Sequence, residues 1–257
     1  GTNGYRFDGI VLDDLSGIAV ANVGDINRDG FDDLIIGASA ANGNMGQAYV
    51  VFGGAVNLAD LDALDGTDGA IALDNLDGNN GFRLDGFSLG LLGRSISGAG
   101  DVNGDGFDDM LIGALLAGES YLIFGANTFA SAIDLGALDG SDGIRFDGVD
   151  QINDFFGRSV NPAGDVNGDG FDDLLFGANG VNSSKGQSYV YFGRDFTGDV
   201  TQIGDINDNT LVGDIGVDVI IGGAGNDDIT GGGGADVLRG GAGDDVLSVA
   251  DTLFVRL

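Results

Sequence analysis

The chain contains neither cysteine nor histidine among its 257 residues. Their absence excludes cysteine nucleophiles, Ser-His triads, thiolate metal centres and HExxH zinc sites. It also excludes disulfides as a source of stability. No apolar run approaches the ~18 residues that a membrane-spanning helix requires, so we expect no membrane insertion.

Glycine and aspartate dominate what is present. There are 51 glycines without a collagen period, which favours tight turns and close backbone stacking and disfavours long helices. The formal net charge is −31, and Glu119 is the one glutamate among the 41 acidic residues. Aspartate suits turns and compact metal loops. So much negative charge argues against binding to nucleic acid or to anionic membrane surfaces.

One segment recurs three times, as GDINRDGFDDLIIGA (24–38), GDVNGDGFDDMLIGA (100–114) and GDVNGDGFDDLLFGA (164–178). Each copy is followed by a second apolar run that ends in Phe-Gly, as in GESYLIFGA. The runs are short, rich in β-branched and aromatic residues, and bounded by Gly, Asp and Asn, which favours strands. We predict four strands per repeat, of the types GRSIS, DMLIGA, SYLIFG and IRFDG. Four-stranded units at a period of about 60 residues indicate propeller blades.

A second period of nine residues begins near residue 204 and continues through five copies to 248, for example GGAGDDVLS. Position six is Asn or Asp and position eight is Leu or Ile in every copy. Such a unit buries one apolar side chain per turn and gains a core only by stacking into a solenoid. We therefore predict an all-β chain with three propeller blades at 1–198, a solenoid of stacked nine-residue turns at 199–250 and a tail at 251–257.

The loop DVNGDGFDD (101–109) alternates oxygen-bearing residues with others. Alternating positions converge on one point when the chain curls, and Gly106 permits the tight turn. About six hard oxygens in such a loop suit Ca²⁺, whereas Mg²⁺ resists full dehydration. The predicted donors, at positions one, three, five, seven (a backbone carbonyl) and nine, are Asp101, Asn103, Asp105, Phe107 and Asp109.

The other two repeats carry the same loop. It differs from an EF-hand in closing with Asp at position nine and in lying between predicted strands. A hydrogen-bonded Asx turn without metal is the alternative, but three copies in register favour metal. The equivalent donors are Asp25, Asn27, Asp29, Phe31 and Asp33 in the first loop and Asp165, Asn167, Asp169, Phe171 and Asp173 in the third.

The GDxNxDGxxDxxxGA core and the YVxFG strand resemble FG-GAP repeats, the blades of the integrin α-subunit propeller. The resemblance covers residues 1–198 and implies a β-propeller with Ca²⁺ in hairpin loops on one face. The chain departs from that family in having three blade cores, where seven are typical.

The nonapeptides resemble the GGxGxDxUx repeats of RTX proteins. This resemblance implies a parallel β-roll in which copies 18 residues apart share a Ca²⁺ ion, and type I secretion from a bacterium with a C-terminal signal. The closing sequence DTLFVRL is loosely similar to such signals. Asn209 and Asp214 depart from the pattern in the first two copies. The side-chain ligands implied are Asn209, Asp218, Asp227, Asp236 and Asp245, with glycine carbonyls completing the shell.

The N-terminal segment 4–9 carries Arg-Phe-Asp-Gly, the motif of a fourth strand. Similar strands follow the first and second repeats, but the nonapeptides follow the third. We predict that the N-terminal strand completes the third blade. Three blades are too few to close a ring, since propellers use ~4–8, so this completion is expected in another copy. A six-bladed dimer or a filament would result. The alternative is that the chain is a fragment of a longer propeller.

These features predict a non-enzymatic, calcium-binding extracellular or cell-surface protein that acts in adhesion, surface coating or self-assembly. The alternative is a non-catalytic calcium-binding module of a larger secreted hydrolase or toxin. Enzyme activity ranks last, because the ordered aspartate clusters are already explained as metal loops. We expect about three Ca²⁺ in the propeller loops, two to three in the β-roll, and a cell-surface or matrix ligand as a further partner.

Overall fold

The computed structural model describes residues 4–149, 153–196 and 198–249. The chain packs into two compact units. The first comprises 1–100, 108–162 and 175–189, and the second comprises 101–107, 163–174 and 190–257. The tail predicted at 251–257, with its resemblance to a secretion signal, lies outside the described residues. No helix in the described ranges combines the length and apolar character needed to span a membrane.

Short strands dominate the described chain, together with three α-helices and two short 3₁₀ helices, Leu73–Asn75 and Leu135–Ala137. The first repeat and its flanks contain β1 (Arg6–Asp8), β2 (Ser16–Gly24), β3 (Asp33–Ala38), α1 (Ala41–Asn44), β4 (Gln47–Val51), α2 (Ala55–Asp65), β5 (Ala70–Ala72) and β6 (Gly81–Asp85). The second contains β7 (Leu92–Gly100), β8 (Asp109–Ala114), β9 (Glu119–Ile123), β10 (Ala132–Asp134) and β11 (Gly143–Asp147). The third contains β12 (Phe156–Gly164), β13 (Asp173–Ala178), α3 (Val181–Ser184) and β14 (Gln187–Tyr191). The nonapeptides form β15 (Gln202–Ile203), β16 (Thr210–Val212), β17 (Val219–Ile221), β18 (Asp228–Thr230), β19 (Val237–Arg239) and β20 (Val246–Ser248).

Each repeat forms one blade, which confirms the predicted propeller repeats. Blade 1 has the strand order β10-β6-β4-β3-β2, and blade 2 has the order β11-β9-β8-β7. Blade 3 has three strands, β12-β13-β14. The four predicted strand types are therefore present in blades 1 and 2, and among the described residues blade 3 lacks the fourth.

Blades 1 and 2 share one apolar core in the first unit. It contains Phe52, Phe82, Met110 and Tyr121, all buried. Phe82 stacks on Phe129 with ring centroids 4.3 Å apart. These side chains come from alternate positions of neighbouring strands, which is the pattern that places one face of a sheet against the next blade.

The segment between strands β4 and β5 contains a helix, although the glycine content of the chain disfavours long helices. Helix α2 occupies 11 residues without glycine or proline, between Gly54 and Gly66, which both have positive φ. Its Leu61 packs with Ile71 and Leu73 in a second core cluster. The glycine content averaged over the whole chain says nothing about this local run of residues, which are compatible with a helix.

The predicted N-terminal strand is present as β1. It pairs in parallel with β5 of the same chain, with Phe7 opposite Ile71. The parallel pair β6–β10 repeats this arrangement one blade further along, with Leu84 opposite Ile133. Neither β5 nor β10 was predicted. The addition of β1 to blade 3 of another copy stays a prediction.

The nonapeptides form two parallel three-stranded sheets, β15-β17-β19 and β16-β18-β20. Paired residues are 18 apart, as in Ile220 opposite Leu238, so successive copies alternate between the sheets. This confirms the predicted β-roll. The position-eight side chains form its narrow core: Leu211, Ile220, Ile229, Leu238 and Leu247.

Glycine at position one of the nonapeptide is required by close packing. A Cβ placed on Gly222 would overlap both Asp227 Oδ2 and the carbonyl oxygen of Gly240. By contrast, a Cβ on Gly233 in the same roll would approach no atom closer than 3.8 Å.

We predict that Gly222→Ala destabilises the roll by about 1–3 kcal/mol, because overpacking forces a shift of backbone or carboxylate. Thermal unfolding followed by circular dichroism in calcium measures the effect. Gly233→Ala is the matched control and should leave the midpoint nearly unchanged. Equal midpoints for the two variants would contradict the packing argument.

Candidate metal centres

Loop 1 lies between β2 and β3 and is organised by its own side chains. Asp25 accepts hydrogen bonds from the backbone N–H groups of Asp29 (3.0 Å) and Gly30 (2.9 Å). Asn27 Oδ1 accepts from Asp29 N (2.9 Å), and Asp29 Oδ1 accepts from Phe31 N (2.9 Å). The donors predicted at positions one, three and five therefore curl around one another, as the alternating pattern requires.

The second and third loops repeat this arrangement in the second unit. Asp101 accepts from Gly104 N (2.6 Å) and Gly106 N (2.7 Å). Asp165 accepts from Gly168 N (2.6 Å) and Gly170 N (2.8 Å). In both loops the position-three Asn accepts from the N–H at position five, and the position-five Asp accepts from the N–H at position seven. The three loops are thus the same structure.

The aspartate at position nine ties each loop to the end of the third strand. Asp33 is fully buried and accepts from Ile26 N (3.1 Å) and Gly53 N (2.8 Å). Asp173 accepts from Val166 N (2.8 Å) and Gly193 N (2.9 Å), and Asp109 accepts from Gly125 N (2.9 Å). The residue at this position was predicted only as a metal ligand. The structure adds a role in holding the blade together.

The position-seven residues were predicted to contribute only a backbone carbonyl. Phe31 is exposed, whereas Phe171 is buried. A Cβ on Gly104 would overlap the Phe171 ring and Ile221, so loop 2, loop 3 and the β-roll are in contact within the second unit. The phenylalanine at this position therefore also serves packing.

Position eight was not predicted to matter. Asp108 Oδ2 accepts from Asp25 N (2.8 Å), and Asp172 Oδ2 accepts from Asp101 N (3.0 Å). Each aspartate at this position therefore joins its loop to the loop of the preceding blade. The signal was available, since all three loops read Gly-Phe-Asp-Asp.

Arg239 of β19 reaches loop 2 from the roll and was also missed. Its guanidinium lies 3.3 Å from Asp101 Oδ2 and 3.8 Å from Asp172 Oδ2. It also donates to the carbonyl oxygens of Asp101 (3.3 Å) and Gly170 (3.2 Å). The available signal was a single basic residue at a nonapeptide position that is otherwise uncharged. Arg239 thus supplies positive charge to a buried loop aspartate.

Burial raises the pKa of two loop carboxyls. Burial is the main cause for Asp33, whose pKa rises to about 7. Hydrogen bonds from the backbone of Gly53 and Ile26 lower this pKa, and the nearby charges of Asp29 and Asp25 raise it. The pKa of Asp101 rises to about 6 by burial, which the charge of Arg239 opposes. Without a cation, the folded loops therefore hold their negative charge at a cost.

In the β-roll, the position-six side chains form two ladders. Asn209 N donates to Asp227 Oδ1 (2.8 Å), and Asp227 N donates to Asp245 Oδ1 (2.8 Å). On the other side, Asp218 N donates to Asp236 Oδ1 (3.0 Å). The spacing within a ladder is 18 residues, as the RTX resemblance implied.

The donor sets fit calcium. Asp227 is 1% exposed, and its Oδ2 is buried without a hydrogen-bond partner. Gly240 O lies beside that atom, as the Cβ overlap at Gly222 shows. A buried, unpaired carboxylate oxygen beside a carbonyl oxygen suits a hard cation. Within the described ranges, however, no three acidic side chains converge as a formed metal centre.

The raised pKa values predict how the metal-free chain responds to pH. The pKa values of Asp33 and Asp101 in the folded chain lie above the ordinary value of 3.8, so the folded chain binds protons more tightly than the unfolded chain. These two carboxyls therefore stabilise the fold at low pH. This contribution is lost as the pH rises through about 6 to 7. In chelator, the thermal midpoint should therefore be higher near about pH 5 than near about pH 8. Asp33→Asn should flatten this dependence and Asp60→Asn, on exposed α2, should not. A midpoint that rises over the same interval would contradict the assignment.

Comparison with known proteins matches both repeat systems. The model of the FG-GAP repeat matches residues 16–51, 92–133 and 156–191, which are the three blades. The model of the RTX calcium-binding nonapeptide repeat matches 203–238 and 222–249, which is the β-roll.

Several curated relatives are integrin alpha subunits. Integrin alpha-5 of Xenopus laevis is 31% identical over 74% of this chain, integrin alpha-V of Gallus gallus is 30% identical over 70%, and integrin alpha-2 of Mus musculus is 38% identical over 38%. The matched regions span 17%, 16% and 7% of those proteins. The chain therefore consists of integrin alpha-like FG-GAP repeats followed by RTX calcium-binding nonapeptide repeats.

Proposed function

We propose that the chain is a non-enzymatic, calcium-stabilised module that works outside a bacterial cell, in adhesion and self-association. The observation that carries the proposal is the buried, unpaired Asp227 Oδ2 within a ladder of position-six side chains. A cation at that position would supply the partner that the main chain does not.

Calcium is the cation that fits the ligands of both repeat systems. The FG-GAP loops offer carboxylate, amide and carbonyl oxygens at the five positions assigned from the sequence, and the roll offers carboxylates and glycine carbonyls. Bound calcium would neutralise charge that the fold otherwise keeps at a cost. We propose about three ions in the loops and two to three in the roll.

The same chemistry makes folding depend on location. Metal-free repeats with a net charge of −31 repel themselves, so calcium contributes folding free energy. Low cytosolic calcium would leave the fold less stable and the chain easier to keep unfolded for export, which suits type I secretion, and external calcium would stabilise the fold.

Adhesion is the role that the FG-GAP repeats favour. The relatives that share these blades are named as integrin alpha subunits. A protein ligand on a cell surface or in a matrix is therefore the proposed external partner, and a second copy of the chain is the proposed internal one.

Calorimetric titration of the metal-free chain with calcium tests the proposal. Several sites should appear. Proton release should be small at about pH 8, where Asp33 and Asp101 are mostly ionised already and no histidine or cysteine is present to lose a proton. Asp105→Ala should remove one of about three loop sites. It should lower the thermal midpoint more in calcium than in chelator, since in chelator the variant loses hydrogen bonds but no ion.

Asp60→Ala is the matched control, since it removes the same charge from the exposed face of α2. It should leave the number of sites unchanged. Detection of one site or none in the unaltered chain would overturn the proposal.

A further inference from the structure

The contacts between consecutive blades repeat in detail. A Cβ on Gly37 of β3 would overlap the carbonyl oxygen of Gly93 on β7. One blade later, a Cβ on Gly113 of β8 would overlap the carbonyl oxygen of Gly157 on β12. Each blade therefore presents a glycine on its second strand to a glycine on the first strand of the next blade, and neither position tolerates a side chain.

The two ends of the blade series carry the unmatched halves of this contact. Gly177 of β13 is equivalent to Gly37 and Gly113, yet the nearest atom to its Cβ position is Ser159 Cβ, 3.5 Å away in its own blade. Gly17 of β2 is equivalent to Gly93, and a Cβ there would meet nothing within 4 Å. We call these the tail face of blade 3, defined by Gly177, and the front face of blade 1, defined by Gly17.

Burial follows the same pattern. Val20 on the front face is 69% exposed, whereas its counterpart in β12, Val160, is 3% exposed. At the tail face, β14 has exposed or partly exposed residues throughout, whereas β4 and β9 are buried along their full length. The strand surfaces that neighbouring blades bury elsewhere in the chain are therefore exposed on the front face of blade 1 and on the tail face of blade 3.

A polar motif is also divided between the two ends. In blade 1, Gln47 of β4 accepts from the Tyr49 hydroxyl (2.8 Å) and donates to Asp85 of β6 (2.6 Å), which also binds Arg83 (2.7 Å). In blade 3, β14 carries the first half, with the Tyr189 hydroxyl donating to Gln187 (2.6 Å).

The second half lies on β1, where Arg6 donates to Asp8 (2.7 Å). Since β1 pairs with β5 in the register that β6 makes with β10, β1 already stands in the place of an outer strand of a preceding blade. By the register of β4 with β6, Gln187 would lie opposite Asp8 and Tyr189 opposite Arg6.

Charge is complementary as well. A groove on the tail face is lined by Arg158 and Lys185, two of the ten basic residues of the chain. The loop before β2 carries Asp13 and Asp14. Lys185 is equivalent to Met45, whose carbonyl oxygen accepts from Leu92 N (3.1 Å) at the first contact between blades.

We infer that a second copy of this chain docks its front face on the tail face of blade 3 and adds its β1 to β14 in antiparallel register. Two such contacts close a ring of six blades from two chains, within the ~4–8 that propellers use. The inference rests on the self-association included in the proposed function, and it assigns the surface, the register and the partner.

Two variants test the contact from its two sides. Gly177→Val adds a side chain to the tail face. A single chain has room for the Cβ at this position, but the close contact between two docked faces does not. Val20→Asp places a charge on the front face, and Val56→Asp, on exposed α2, is its matched control. In calcium, light scattering should give twice the 25.9 kDa chain mass for the unaltered protein and for Val56→Asp. Each face variant alone should give the single-chain mass.

An equimolar mixture of the two face variants keeps one undamaged contact, between the front face of the Gly177→Val chain and the tail face of the Val20→Asp chain. The mixture should therefore regain the dimer mass. Calcium titration and circular dichroism on the same samples should show that both variants fold and bind as many ions as the unaltered chain.

The two proposals fail differently. Absence of calcium binding in the unaltered chain would overturn the proposed function. A chain that binds calcium but remains a monomer would overturn the docking inference alone. A dimer that survives both face variants would do the same.

Discussion

A buried aspartate carboxylate at the ninth position of each loop holds its blade together. Asp33, Asp109 and Asp173 are fully buried. Each accepts a hydrogen bond from the backbone N–H of the glycine that stands two residues after the third strand of its blade. A buried carboxylate without such donors would be costly, so the loop and the strand end are fixed together. Asp33 and Asp173 also accept a hydrogen bond from the backbone N–H at position two, so the same carboxylate holds the start of its loop.

Hydrogen bonds from backbone N–H groups are the main interactions of the loop carboxylates within the protein. Loop carboxylates accept N–H groups from the turn that they enclose, which keeps them ordered but leaves their charge in place. Burial then disfavours the charged form, as the raised pKa of Asp33 records. Arg239 relieves this strain at one loop. These hydrogen bonds therefore order the loops without neutralising them, and a bound divalent cation would supply the missing positive charge.

Much of this architecture could be predicted from the repeats. The three blades, their strand types and the stacking of the nine-residue turns follow from periodicity, because a repeated unit buries its apolar face only against its neighbour. The 18-residue register of the roll was implied by the resemblance to RTX repeats. Helix α2 could not be predicted, since it lies in a segment without a counterpart in the second repeat. Strands β5 and β10 begin similar segments, at 70–81 and 132–143, but each is only three residues long and was overlooked. The links made by Asp108, Asp172 and Arg239 join residues far apart in sequence, and spacing alone carries no information about such contacts. The chosen metal donors stay predictions, because hydrogen bonds within a loop order its oxygens whether or not they bind an ion.

The ion pair of Arg239 with Asp101 has a consequence for how such a protein can evolve. Repeat arrays grow by duplication, and a roll can gain or lose copies at its end without disturbing the rest. The copy that carries Arg239 is different, because its loss would leave the carboxylate of Asp101, 2% exposed, without this guanidinium. Recombination at the sequence boundary between the blades and the nonapeptides would also cut through the second compact unit, which contains 101–107, 163–174 and 190–257. The two repeat families in this chain are therefore expected to be inherited as one piece.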